Sequence, residues 1–183
     1  MRTILAVLAG LFLISCGSAS HILWRDQLPL LDTTRRVGMY DLRISFMNRE
    51  IEGLMLTTMN SDNRPRFVLT SYFGMSVFDL EGSSDGYLVN YVTPFLDRKR
   101  ILDLLWDDLS MLREPNVRSG YEPFRDANGN TVRLRTGRGI RSTKIVAGNY
   151  QGVFPQNITI EHPLLNLLLE LTVSQNAQGS LYY

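Results

Sequence analysis

Scarcity of cysteine, histidine and net charge removes several classes of chemistry from this chain at once. Its single cysteine, Cys16, can close no intramolecular disulfide and build no thiolate zinc site. The two histidines, His21 and His162, are too few for a multi-histidine metal site, and Gly137-Arg138-Gly139 is too short for a phosphate-cradling loop, so neither metal nor cofactor is expected. Nineteen basic residues stand against 18 acidic ones. A sequence-blind hold on nucleic acid needs a net basic footprint, so nucleic acid is not an expected partner. Beyond residue 16 no apolar run approaches the ~20 residues of a bilayer span. There is also no internal repeat and no low-complexity segment.

What is present begins at the N terminus. Arg2, followed by an apolar run over residues 4–14, has the build of a secretory signal and is too short to cross a bilayer. The run closes on Leu13-Ile14-Ser15-Cys16, which resembles the lipobox of bacterial lipoproteins. That resemblance implies that Cys16 is the first mature residue, carrying a diacylglyceryl thioether and an N-acyl chain. Each buried methylene contributes about 0.8 kcal/mol, so such a residue anchors a protein to a membrane without a transmembrane helix. The alternative is a small buried cysteine in an amphipathic segment. The expected organisation is a signal peptide over 1–15, a lipidated start and tether over 16–36, and one domain over 37–183. Gly17 is not the aspartate that holds many proteobacterial lipoproteins at the inner membrane. Outer-membrane residence facing the periplasm is therefore implied.

From Val37 the pattern turns to strands. Tyr40, Leu42, Ile44 and Phe46 alternate with polar residues, the period of a half-buried strand. Four more are expected at Ile51–Met59, Arg66–Tyr72, Met75–Glu81 and Tyr87–Thr93, cut apart by Asn, Asp, Ser, Gly and Pro. Asp97 is a plausible N-cap for a helix to Arg113, with Ile101, Leu104, Leu105, Leu109 and Leu112 on one stripe and Asp103, Asp107 and Asp108 facing away. Leu105 and Leu109 would make it a lid on the sheet. After a loop to Asn130, strands are expected again at Thr131–Arg135, Ser142–Ala147, Asn157–Glu161 and Leu165–Val173. The fold class is therefore mainly β with helix, a curved antiparallel sheet. Several strands are apolar on their second face too, which suggests a sheet that packs a helix and encloses a hydrophobic hollow. Met55, Met75, Phe78 and Tyr91 are the candidates to line that hollow and take an acyl chain.

Five meandering strands, an amphipathic helix and about four further strands, behind a lipobox, resemble the LolA/LolB half-barrel lipoprotein carriers. The local text is Arg66-Phe67-Val68-Leu69-Thr70-Ser71-Tyr72-Phe73-Gly74-Met75-Ser76-Val77-Phe78-Asp79-Leu80-Glu81, then Val92-Thr93-Pro94-Phe95-Leu96 and the helix. The resemblance implies an unclosed barrel capped by helix and a non-enzymatic, membrane-anchored module that binds acyl chains or lipoprotein cargo in transit to the outer membrane. The competing reading is a scaffold or assembly lipoprotein with a filled barrel, which binds a protein partner.

Other constellations are weaker. Asp79 and Glu81 share a strand face, where paired carboxylates could do acid/base work, but a solvated strand end accounts for them. His162, before Pro163, reads as a turn residue, and Ser71, Ser76 and Ser110 have neither a nearby histidine nor a nucleophile-elbow context. Arg133, Arg135, Arg138, Arg141 and Lys144 form a basic run without an intervening acid. It admits contact with lipid phosphates or an acidic partner, or a solvated hairpin whose charges protect an edge strand.

Overall fold

The computed structural model describes residues 29–114, 122–136 and 142–175. They form one curved, unclosed antiparallel sheet and one helix. The strands are β1 (Gly38–Phe46), β2 (Arg49–Met59), β3 (Pro65–Ser71), β4 (Ser76–Ser83) and β5 (Gly86–Val92), then helix α1 (Lys99–Arg113). After it come β6 (Glu122–Arg125), β7 (Thr131–Thr136), β8 (Thr143–Gln151), β9 (Phe154–His162) and β10 (Leu167–Val173). Their order across the sheet is β5-β4-β3-β2-β1-β10-β9-β8-β7-β6. Two five-stranded meanders are thus welded at the centre by β1 and β10, and α1 connects the two outer edges.

Alternation decides which side is core. Ile44, Leu169, Ile160, Ile145 and Leu134 are successive cross-strand partners on β1, β10, β9, β8 and β7, and all are buried. The same inner face meets the helix, whose Ile101, Leu105, Leu109 and Leu112 fall at helical spacing and join one continuous apolar cluster. Trp106 packs edge-on to Phe67 of β3 and stacks on Tyr87 of β5, with ring centroids 5.6 and 5.3 Å apart. Curvature requires one glycine in particular. A Cβ on Gly53 of β2 would stand 2.1 Å from the Thr70 carbonyl oxygen, so only a residue without a side chain lets β3 fold over so closely.

Three expectations change. The helix begins at Lys99 with Arg98 at the N-cap and no side-chain cap, because the Asp97 N–H is already bonded to the Thr93 carbonyl in a tight turn. A tenth strand, β6, lies in the stretch read as loop, its short length and Pro123 having masked the alternation. The segment expected as tether over 16–36 enters the core at two residues and is exposed again at Thr33, Thr34 and Arg36. Leu30 and Leu31 are buried, and both donate their N–H to the Leu112 carbonyl, satisfying the C-terminal end of α1.

Antiparallel order gives the sheet two unlike ends. The β1–β2, β3–β4 and β9–β10 turns and the start of α1 share one end, here called the lower. Pro29 to Val37, the β2–β3 and β4–β5 turns and the end of α1 share the upper end.

Candidate functional site

The four residues expected to line a hollow do not meet. Met55 and Phe78 are both 0% exposed beneath the helix, whereas Met75 is 64% and Tyr91 47% exposed. Register is the reason: Phe78 pairs with Val92 on the inner face, and Tyr91 pairs with Asp79 on the outer one. Met75 stands in the β3–β4 turn, outside both strands. Among the described residues the inner face is filled by side chains. A small hollow of about 130 Å³ opens at the upper end, lined by polar Asp32, Arg35 and Gln151 as well as Met39 and Tyr40. It is too small and too polar for an acyl chain. Tyr40 has its hydroxyl pushed up to about 12 by burial and accepts the Asp32 N–H at 2.7 Å. Leu105 and Leu109 are fully buried between helix and sheet.

The second apolar face of the strands has another outlet, the turns. The β3–β4 turn is Tyr72-Phe73-Gly74-Met75, closed by the Ser71 N–H on the Met75 carbonyl and the Gly74 N–H on the Ser71 carbonyl. Gly74 takes a left-handed φ of 79°, which glycine alone accepts freely. Phe73 at its tip is 90% exposed, with Tyr72 and Met75 flanking it in water. Met47 and Leu164 are exposed at the same lower end, in the β1–β2 turn and the 3₁₀ turn Pro163–Leu165. Three separate turns therefore place large apolar groups on one rim.

The basic run divides. Arg138 and Arg141 lie outside the described residues, as does Cys16. Arg133 is exposed over the Phe124 ring, and Lys144 pairs with Glu161 at 3.1 Å. Arg135 is the register partner of Lys144. The acid missing from the local sequence is thus supplied by the neighbouring strand β9. Asp79 and Glu81 likewise form an ion network. Arg66 donates to Asp79 from Nε at 2.9 Å and from Nη2 at 2.6 Å, and these bonds hold the Asp79 carboxyl below the usual carboxylate range. Asn60 and then Asn90 do the same for Glu81.

One polar cluster departs from the sequence expectation. Asp108 does not face solvent, and His162 is no turn residue. Both are buried, with His162 Nε2 2.6 Å from Asp108 Oδ2 and Thr143 Oγ1 3.3 Å from His162 Nδ1. The signals were available. Asp108 is three residues after Leu105 and four before Leu112, on the core stripe, and His162 continues the inward alternation of Ile158 and Ile160. A Thr-His-Asp series can activate a hydroxyl, but here all three members are buried in the core, so the cluster joins helix to sheet. Compared with known proteins, the chain matches no family model and no curated protein sequence.

Proposed function

We propose that this chain is a non-enzymatic, lipid-anchored module of the bacterial envelope, held at the outer membrane by an acylated Cys16, which acts in placing lipids or lipoproteins by touching lipid from outside its barrel. The observation that carries this reading is the lower rim, and Phe73 above all. Burying an aromatic side chain is worth roughly 1.5–3 kcal/mol, and this ring gains none of it in the folded domain. A hairpin tip of Tyr, Phe and Met suits the boundary between headgroups and acyl chains. Contact at the rim replaces a hollow within.

A specific observation favours the scaffold reading as well. The strand β5, at the edge of the sheet among the described residues, exposes Leu88, Val89 and Tyr91 and carries neither charge nor proline, the condition for a partner strand to add. A photoreactive residue placed at position 73 or 89 of the full chain in living bacteria separates the two. Acyl-bearing adducts at 73 support the lipid reading, while adducts confined to 89 and to one polypeptide turn it to the scaffold. Labelling with a fatty-acid analogue tests the anchor: Cys16→Ser is expected to abolish incorporation, and incorporation that survives it removes the lipid anchor from the reading.

A further inference from the structure

The lower end that carries Phe73 also gathers unbalanced positive charge. Beside the β1–β2 turn a cleft of about 440 Å³ is lined by Met47, Arg49, Pro94, Phe95 and Arg98. Its floor is fixed, because Phe95 packs on buried Phe46 with ring centroids 5.7 Å apart. The Arg49 guanidinium lies 5.2 Å over the Phe95 ring, and Arg98 Nη1 is 3.5 Å from the Met47 sulfur. Neither arginine has a carboxylate partner among the described residues, although Arg43, Arg66, Lys99 and Lys144 all do. Asp97 is exposed nearby without an ion pair to either. A guanidinium stacked on a ring keeps its in-plane N–H donors free for another acceptor. The Arg49 fork over the ring, with the Arg98 guanidinium beside Met47, complements a phosphate carried on a hydrocarbon body.

We propose that this cleft binds the headgroup phosphate of an anionic phospholipid, with Arg49 and Arg98 on the phosphate and Met47 and Phe95 against the glycerol and first methylenes. The assignment rests on the lipid-facing reading of the rim and names the lipid class that the rim selects. An acidic peptide would satisfy the arginines, yet it would leave the apolar floor and the neighbouring Phe73 and Leu164 without a counterpart. In a bilayer the phosphates lie just above the depth that such side chains enter, so one docking pose serves both.

The test is calorimetric titration of the full chain in uncharged detergent with short-chain phosphatidylglycerol, short-chain phosphatidylcholine and inorganic phosphate. Phosphatidylglycerol is expected to bind, phosphatidylcholine to bind about tenfold more weakly, and inorganic phosphate more weakly still. Arg49→Gln and Arg98→Gln should each weaken phosphatidylglycerol about tenfold, while Arg36→Gln, exposed at the opposite upper end, leaves it unchanged. Both arginines are exposed, so unchanged thermal melts of the variants show that the fold persists. Equal affinity for the two lipids, or unaltered binding by the variants, overturns the proposal. Inorganic phosphate binding as tightly as the lipid reassigns the cleft to a free anion and overturns its lipid part. The rim reading is tested apart, since Phe73→Ser should spare this titration. Loss of phosphatidylglycerol binding with persistent lipid adducts at position 73 would sink the cleft alone.

Discussion

His162 on β9 and Asp108 on α1, 54 residues apart in the chain, meet at 2.6 Å in a site closed to solvent. The carboxylate accepts, so Nε2 is the protonated nitrogen, and Thr143 partners Nδ1. Removing one member strands the other in a low-dielectric core, at a cost of about 3–5 kcal/mol. Asp108→Asn and His162→Gln should each lower the urea midpoint sharply, and the double variant should lose far less than the two losses added. Additive or negligible effects would take this pair out of the fold's support.

The helix is held to the sheet by its leucines. Leu105→Ala should cost about 2–5 kcal/mol, because the surrounding side chains close the vacated space only in part. Lys99→Ala removes an exposed pair with Asp103 and should cost no more than about 0.5 kcal/mol. Equal denaturation midpoints for the two would contradict the packing described here.

Two methionines offer a test of register. Met55→Gln places an amide at a fully buried position and should unfold a large fraction of the protein, whereas Met75→Gln, in the exposed turn, should melt within about 0.5 kcal/mol of the parent. A one-residue slip of β2 would exchange its two faces and spare Met55. Circular dichroism melts decide it.

Gly53→Ala is the smallest change with a large expected effect. The added methyl would overlap the Thr70 carbonyl, so β2 and β3 must part, at about 1–3 kcal/mol. Amide exchange should quicken in β3 first. Uniform exchange rates in parent and variant would mean that the curve does not need this glycine.

Asp79 predicts a pH dependence. The Arg66 hydrogen bonds, more than Asn90, hold its folded pKa below the ordinary value of 3.8. The stabilisation is complete above the unfolded value and is lost as pH falls through the folded one. Asp79→Asn should therefore cost about 0.5–1 kcal/mol at neutral pH, discounted for partial exposure, and the deficit should shrink as pH drops below about 4. A deficit independent of pH would assign the loss to packing.

Local periodicity was enough to read nine of the strands and the helix, because alternation and the 3.6-residue stripe are properties of neighbouring residues. The tenth strand, Glu122–Arg125, is too short to show a period. Strand phase was legible where one face is plainly polar, as in Tyr40 to Phe46, and illegible where both faces are apolar, as in Met75 to Glu81. There only the pairing of Phe78 with Val92 and of Asp79 with Tyr91 sorts core from surface, and irregular register beside Asp79 defeats simple counting. The basic run looked unbalanced because Glu161, which neutralises Lys144, arrives from another strand. The Asp108–His162 contact and the union of Met47, Arg49, Phe95 and Arg98 at one rim are long-range in the same sense. By itself the sequence determined nine of the strands and the helix. Tertiary structure decided which side chains share a face and which charges are matched, since those depend on pairing between distant strands, which no local pattern encodes.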